Sequence, residues 1–228
     1  MQTSFNLAQL SDPHIQESEK ILRTCVHCGF CTATCPTYIL LGDELDSPRG
    51  RIYLIKEMLE QGGPPSESTV THIDRCLSCL SCMTTCPSGV HYMHLVDHAR
   101  NHIEKFFKRP WFDKMLRRVL ILLLQHPTLM RPALGFIQFF RFAKPLLPKK
   151  LQPVFALTPQ NLARPLPLHP QIFSAIGTRR KRVALLTGCV QTVLVPEINA
   201  ATIRLLQRHG CEVVVTKAGC CGSVAHHL

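Results

Sequence analysis

The stretch CVHCGFCTATCP at residues 25–36 decides the fold, because it returns as CLSCLSCMTTCP at residues 76–87. Each copy spaces four cysteines as C-x2-C-x2-C-x3-C and ends on proline. Three thiolates at this spacing can surround one compact metal centre from a single loop, and the proline then turns the chain away. The first residues lack the basic and apolar regions of a secretory signal, so the 12 cysteines favour metal ligation over a disulfide framework.

The spacing is typical of two-cluster iron–sulfur proteins, in which the fourth cysteine of each run binds the cluster of the other run. It therefore predicts two [4Fe–4S] clusters with crossed ligands. Tetrahedral zinc is the alternative, but zinc usually takes C-x2-C pairs from separate loops. The two predicted ligand sets are Cys25, Cys28, Cys31 and Cys86 for the first cluster, and Cys76, Cys79, Cys82 and Cys35 for the second.

Helical patterns surround both cysteine runs. Ser47 and the proline after it form an N-terminal cap, and Gly62 follows the last apolar position, which predicts a helix over residues 48–61. The Asp-Pro pair at residues 12–13 opens an earlier predicted helix. The apolar positions that mark these helices and a later one are Ile21, Leu22, Ile52, Ile55, Leu59, Leu95, Ala99, Ile103 and Phe106.

Charge divides the chain into three regions. Residues 1–99 carry 6 Lys/Arg against 11 Asp/Glu, residues 100–182 carry 17 against 2, and residues 183–228 carry 3 against 2. The predicted fold class is mainly α with a partial α/β end. The predicted domains are an α-helical ferredoxin-like domain with two clusters at 1–108, a basic, aromatic, Pro-rich helical linker at 109–181, and a partial cysteine-rich βαβ unit at 182–228.

The basic middle segment combines apolar and cationic side chains, with no carboxylate between Asp113 and Glu197. Such a surface suits an anionic membrane, a groove on an acidic partner subunit, or nucleic acid. We favour membrane or partner contact through residues 109–145, and the prolines of residues 145–170 predict an extended linker. The residues that carry the pattern are Trp111, Phe112, Lys114, Leu116, Arg117, Arg118, Val119, Leu120, Leu123, Phe139, Phe140 and Arg141.

The C-terminal segment is predicted to form one βαβ unit. Strands are expected at residues 182–187 and 213–216, with a helix at 196–209 between them. That helix places Ile198, Ala201 and Leu205 on one face. One unit of this size makes a poor core, which predicts a truncated product or a tail that docks on another chain. Cysteines at the carboxyl ends of the strands are candidate ligands or redox thiols, namely Cys189, Cys220 and Cys221, whereas Cys211 is predicted to be core.

Histidines form a further pattern near the second run. His91, His94, His98 and His102 fall on one face of the predicted helix. A metal site or proton donors near a quinone would be functional, but a solvated stripe is favoured because no carboxylate accompanies these rings. His27, inside the first run, either donates a hydrogen bond toward cluster sulfur or simply fills the loop.

Residues 25–36, together with GDELDSPRGRIY at residues 42–53, resemble the iron–sulfur subunit of bacterial glycolate oxidase. Residues 183–228 are similar to the first half of that family's cysteine-rich CCG domain, whose further C-x2-C and second copy do not occur in this sequence. Lactate-utilisation iron–sulfur proteins, the anaerobic glycerol-3-phosphate dehydrogenase small subunit and heterodisulfide reductases share the twin cysteine runs. The runs alone therefore do not select a substrate.

The resemblance implies an electron-relay subunit of an oxidoreductase. A partner flavoprotein with FAD would oxidise glycolate, and this chain would pass the electrons through its two clusters toward quinone or another membrane acceptor. The protein would be cytoplasmic and peripheral on the inner face of the cell membrane. In agreement, the sequence contains no G-x-G-x-x-G dinucleotide motif and no defensible catalytic triad.

Two alternative functions stay open at this point. The chain could serve a lactate-utilisation or glycerol-3-phosphate dehydrogenase complex in the same relay role. From another class, it could be a Cys-metal regulatory module that binds nucleic acid through residues 100–182.

Overall fold

The computed structural model describes residues 1–140, 142, 152–159, 162, 171–216 and 221–227. Two units divide the chain, Met1–Arg109 and Pro110–Leu228. The first unit, all of whose residues are described, contains helices and loops but no strand. Its α-helices are α1 (Pro13–Thr24), α2 (Pro36–Leu41), α3 (Pro48–Gln61), α4 (Glu67–Asp74), α5 (Ser81–Thr85) and α6 (Tyr92–Phe106), with short 3-10 helices at Gln9–Ser11, Phe30–Thr32 and Glu44–Asp46.

Helix α3 is the central helix of this unit and has the predicted bounds. The Ser47 side chain accepts a hydrogen bond from the amide of Gly50 at 2.9 Å, which caps the N-terminus. Gly62 ends the helix with φ of 66°, a left-handed conformation that glycine adopts without strain. Because α3 buries eight of its residues, it organises the packing of its neighbours.

The core of the first unit lies between α1, α3, α4 and α6 and adjoins the cysteine loops. Leu22, Ile55, Leu95 and Ile103 are completely buried there, which confirms the predicted apolar faces. The expectation for Phe106 is wrong, since its side chain is 50% exposed at the last residue of α6. Buried Cys25 and Cys82 belong to the same apolar cluster, so the helices hold the cysteine loops directly.

The second unit begins with two exposed helices, α7 (Trp111–Gln125) and α8 (Pro127–Phe139). No residue of α7 is buried, and Met130 is the buried residue of α8. Among the described residues, neither helix is long and apolar enough to cross a membrane alone. The two together pass that test by length and composition, although they meet at a bend of 114°.

A three-stranded sheet follows, with the order β1-β3-β2. Strand β2 (Lys181–Leu185) pairs in parallel with β3 (Cys211–Val215), and α11 (Pro196–Arg208) connects them, as the βαβ prediction requires. Strand β1 (Gln171–Phe173) pairs antiparallel with β3. The remaining helices are α9 (Gln152–Leu157), α10 (Gln191–Leu194) and α12 (Ser223–His227).

Two predictions for this unit need correction. The extended linker is wrong at residues 152–157, which form α9, because a proline is tolerated in the first turn of a helix. Strand β1 follows the proline-rich segment, was not predicted, and gains its hydrogen bonds from the distant β3. The buried face of α11 contains Asn199 and Ile203, whereas Ile198 and Leu205 are exposed. The Asn199 Oδ1 accepts a hydrogen bond from Gln191, whereas its Nδ2 is buried without a hydrogen-bond partner among the described residues. A polar residue on the buried face explains why the apolar positions alone misplaced that face.

Some predicted features lie outside the described residues. These are Arg141, Cys220 and most of the prolines assigned to the linker. What the structure does describe confirms the fold class: a mainly helical protein with a small α/β unit toward its C-terminus.

Candidate metal centres

The two cysteine loops share an unusual backbone conformation. His27 and Ser78, at equivalent positions of the two runs, have φ of 56° and 50°. Gly29 and Leu80, two residues further on, have φ of 83° and 58°. Left-handed residues are uncommon outside glycine, and two of them curl each loop tightly. Of these four positions, only Gly29 is a residue type that indicates a left-handed backbone conformation from the sequence.

The first loop borders a cavity that is partly open to solvent. Cys25, Cys28 and Cys31 line it from the first run, and Cys86 lines it from the second. The buried Cys82 also reaches its wall. These contacts bring the first predicted ligand set to one place, across 55 residues of sequence between Cys31 and Cys86.

The second loop borders a cavity that is also partly open to solvent. Cys76, Cys79 and Cys82 line it from the second run, and Cys35 lines it from the first. The two linings agree with the groups that crossed ligation requires, except that Cys82 borders both cavities. Iron ligation by these residues stays a prediction.

A contact between equivalent threonines relates the two loops. Thr34 and Thr85 each precede the fourth cysteine of their run, and the Thr85 hydroxyl donates to Thr34 Oγ1 at 3.3 Å. A contact between equivalent residues indicates a local two-fold arrangement of the runs. This arrangement explains how each fourth cysteine reaches the cavity of the opposite run.

The thiols of these cavities are free and partly shielded from water. Burial raises the pKa of the Cys82 thiol to about 12, and it also raises the pKa of Cys31. The Cys31 and Cys82 thiols are therefore neutral without metal, and iron must displace their protons as it binds. Four cysteines line the second cavity, and the four of the first predicted set line the first cavity together with Cys82, so the residues present fit two [4Fe–4S] clusters with four ligands each.

A buried charged network, formed by Asp46, Arg51, His72 and Arg75, lies beside Cys35. Asp46 is 0% and Arg51 is 1% exposed. One carboxylate oxygen of Asp46 lies 2.9 Å from His72 Nδ1 and 3.4 Å from Arg51 Nη2, and the other accepts from Arg75 Nη1 at 2.8 Å. Burial opposes ionisation of Asp46, but the hydrogen bonds from His72 and Arg75 outweigh it and lower the pKa of this carboxyl.

The sequence patterns did not indicate this network, because its members come from a 3-10 helix, from α3 and from the end of α4. Asp43, Asp46 and His72 place ligand atoms within 4.8 Å of one another, as a metal site would. Two guanidinium groups already contact the Asp46 carboxylate, and their charge disfavours a further cation there. The network is therefore a set of ion pairs around the second cavity.

The histidine stripe is divided among separate partners. His98 Nδ1 lies 2.6 Å from Ser18 Oγ, and His102 Nε2 lies 3.0 Å from the carbonyl oxygen of Gly63. His94 Nδ1 lies 3.8 Å from a Glu17 oxygen, and His91 precedes α6 rather than belonging to it. Among the described residues, no group of candidate metal ligands includes these rings. The solvated stripe describes His91 and His94, which are exposed, whereas His98 and His102 are half-buried against their protein partners.

His27 differs from these histidines because its Nε2 is buried without a hydrogen-bond partner among the described residues. Its side chain lines the first cavity. Burial, followed by the charges of the N-terminus and Arg49, lowers its pKa. Donation from His27 toward cluster sulfur stays a prediction.

The cysteines of the second unit have a less defined setting. Cys189 follows β2 and is half-buried, Cys221 is exposed, and Cys220 lies outside the described residues. Cys211 begins β3 and is half-buried, not fully in the core. A ligand or redox role of Cys189, Cys220 and Cys221 stays a prediction.

Comparison with known families agrees with these cavities. Residues 21–90 match the 4Fe-4S dicluster domain, and residues 183–227 match the cysteine-rich CCG domain. The first match contains both cysteine runs, which confirms the prediction of iron–sulfur clusters. No solved structure matches the chain.

Curated relatives confirm the resemblance stated from the motifs. The glycolate oxidase iron-sulfur subunit of Escherichia coli (strain K12) is 44% identical over 100% of this chain and 53% of its own length. The probable glycolate oxidase iron-sulfur subunit of Bacillus subtilis (strain 168) is 33% identical over 90% of this chain and 50% of its own. An iron-sulfur subunit of the CoB–CoM heterodisulfide reductase of Methanopyrus kandleri is 31% identical over 42% of this chain and 46% of its own. The chain spans about half the length of the two glycolate oxidase subunits that it matches.

Proposed function

Because this chain is a homologue of glycolate oxidase iron–sulfur subunits, we propose that it is the electron-transfer subunit of a flavin-dependent 2-hydroxy acid dehydrogenase. Glycolate is the proposed substrate of the complex, with the flavin on a partner subunit. Quinone is the proposed acceptor. The observation that carries the proposal is the pair of neighbouring cavities, each lined by four cysteines of the predicted crossed sets.

Two bound [4Fe–4S] clusters would supply one-electron transfer, which a flavin that takes a hydride needs in order to pass its two electrons on singly. The residues of the chain bind and insulate these centres. Ile52, Val90 and Tyr92 line the first cavity with buried side chains, which limit the access of water. A dry, fixed environment keeps the reorganisation that accompanies each charge change small.

Each cysteine set has one member exposed to the surface. Cys28 and Cys79 occupy equivalent positions and are both exposed. Their neighbours Val26 and Leu77 are 67% and 66% exposed, so an apolar side chain flanks each exposed thiol. These two edges are the proposed points at which redox partners approach the relay.

Metal analysis of the anaerobically purified chain tests the cluster content. We expect about eight irons and an equal amount of acid-labile sulfide per chain, because each cysteine set binds one four-iron cluster. About twelve irons would show that cysteines of the second unit recruit a further cluster. About two zincs without sulfide, persisting after anaerobic reconstitution, would contradict the relay and favour the nucleic-acid alternative.

We further propose that α7 and α8 attach the protein to the inner face of an anionic membrane. Trp111 and Phe112 are 75% and 44% exposed on α7, and Phe136 and Phe139 are 65% and 74% exposed on α8. Exposed apolar side chains of this size favour the interfacial region of a bilayer. Cationic neighbours on α7, such as Lys114 and Arg118, suit anionic headgroups.

Co-sedimentation with vesicles of equal parts phosphatidylglycerol and phosphatidylcholine tests this attachment. Reversing Lys114 and Arg118 to Glu should weaken binding by at least roughly 30-fold, since the loss of two basic residues near the surface removes about 2 kcal/mol and the new carboxylates add repulsion. The matched control reverses Arg204 and Arg208 on α11, with the same change in net charge, and should bind as the parent does. Equal loss in both variants, or no sedimentation of the parent at low salt, would contradict the proposal.

A further inference from the structure

The two cysteine sets differ in the charge that surrounds them. Arg51 lies beside the second set, where its Nη1 is 3.8 Å from Cys35 Sγ. Its Nε donates to the carbonyl oxygen of His72 at 2.7 Å, which fixes the plane of the guanidinium group. Because Arg51 is 1% exposed, water screens its charge only weakly.

The charge balance of the network leaves an excess of positive charge near Cys35. Arg51 and Arg75 share the single carboxylate of Asp46, and His72 contacts the same group. Two guanidinium groups against one carboxylate leave about one positive charge without a carboxylate in the network. Arg75 is 47% exposed, so water screens its share of this charge, whereas the share on Arg51 is buried and is costly unless an opposite charge lies close to it. The Cys35 thiolate, once formed, supplies that opposite charge.

Further hydrogen-bond donors lie near the second cysteine set. The Tyr92 hydroxyl lies 3.6 Å from Cys76 Sγ. Arg100 donates to the carbonyl oxygen of Cys76 and to Ser78 Oγ, both at 2.7 Å. Hydrogen bonds to sulfur and nearby positive charge both stabilise the reduced, more negative form of an iron–sulfur cluster.

The first set has a more neutral setting. Arg49 borders its cavity, but Arg49 pairs with Glu44 at 2.7 Å, and the two side chains are 34% and 44% exposed. Cys86, the equivalent of Cys35, accepts from the backbone amide of Val90 at 3.5 Å. The ammonium group of Met1 lies 2.6 Å from the carbonyl oxygen of Cys25, at a partly exposed position. Arg49 and the Met1 ammonium group are partly exposed, so water screens them more than it screens buried Arg51, which shares the Asp46 carboxylate with Arg75.

We propose that Arg51 is a positioning residue that raises the reduction potential of the Cys35, Cys76, Cys79 and Cys82 centre above that of the Cys25, Cys28, Cys31 and Cys86 centre. The proposal rests on the proposed relay function and gives the relay a direction. Electrons enter at the first centre, beside Cys28, and leave from the second, beside Cys79. The flavoprotein then docks at the Val26 edge and the acceptor at the Leu77 edge.

Potentiometric EPR titration of the anaerobically reconstituted full chain tests the assignment. Arg51→Gln should lower the equilibrium constant for reduction of one cluster at least tenfold, which is about 59 mV for one electron. The other cluster should change less than threefold. Arg51→Lys, which keeps the charge, should recover most of the potential, a rescue that a purely structural role of Arg51 would not give. Arg49→Gln is the matched control near the first cavity.

The affected cluster can be identified in two ligand backgrounds. Cys28→Ala should leave only the second centre, and adding Arg51→Gln to that variant should still lower the reduction potential. Cys79→Ala should leave only the first centre, and adding Arg51→Gln there should not lower the reduction potential. If the Arg51→Gln variant fails to take up iron, Arg75→Gln replaces it in the experiment. The Arg75 side chain is 47% exposed, and its loss removes a positive charge from the Asp46 carboxylate that Arg51 also contacts. Equal shifts of both clusters, or none at full iron content, would overturn the proposal. A parent chain without clusters would instead overturn the relay function itself.

Discussion

Replacing Cys86 with alanine will remove the cluster of the first run, not the cluster of the second. Cys86 lines the cavity of Cys25, Cys28 and Cys31, although it belongs to the second run in sequence. The variant should therefore hold about four irons where the parent holds about eight. Iron and sulfide analysis with EPR measures the loss.

Double variants show which cluster has gone. Under crossed ligation, the variant that combines Cys28→Ala with Cys86→Ala should still hold about four irons, because both substitutions remove ligands of the same cluster. Cys79→Ala combined with Cys86→Ala should hold almost none. Cys211→Ala, a cysteine on β3, is the control and should keep the full iron content. The reverse pattern in the two double variants would refute crossed ligation.

Gly50→Ala will destabilise the first unit strongly, against the usual preference of helices for alanine. Gly50 lies in the first turn of α3, where a Cβ would clash with the carbonyl group of Glu44 and lie 2.8 Å from Leu45 Cα. Both neighbours are backbone atoms, so relieving the clash would require a shift of the main chain at a cost in stability. We expect a loss of about 3 kcal/mol in the free energy of unfolding, or a fall of roughly 10 °C in the apparent Tm. Thermal unfolding followed by circular dichroism on the iron-loaded chain measures it.

Gly63→Ala is the control in the same unit. A Cβ at Gly63 would meet nothing within 4 Å, so the change should stay within about 0.5 kcal/mol. An unchanged Tm for Gly50→Ala would show that the 3-10 helix at Glu44–Asp46 can retreat from α3. That helix supplies Asp46 to the buried network, so iron content should be measured in both variants.

Local signals predicted much of the helical unit. The Ser47 cap, the proline after it and Gly62 gave both ends of α3, because capping residues act within one turn of the chain. Strand β1 could not be predicted in this way, since its three residues depend on pairing with β3 about forty residues later. The buried face of α11 was misplaced because Asn199 is polar, and only the contact with Gln191 explains its burial.

The cysteine groups were predictable because their spacing is itself the chemical requirement. The charged setting of Cys35 was not, since Arg51 and Asp46 are common surface residue types whose burial depends on helices that meet in space. The left-handed conformation of Ser78 and Leu80 could not be predicted either, because neither residue type favours that conformation.

The joint lining of the first cavity by residues 25–31 and Cys86 also has a consequence for how the protein is made. During synthesis, the three cysteines of the first run that line this cavity leave the ribosome well before Cys86, the fourth predicted ligand. A chain halted before Cys86 holds an incomplete, oxidisable thiol group, so iron insertion has to wait for the second loop. Under crossed ligation, the closed centre would act as a cross-link over about sixty residues, a constraint worth about 4 kcal/mol in chain entropy. Iron supply and folding yield should therefore rise and fall together in the cell.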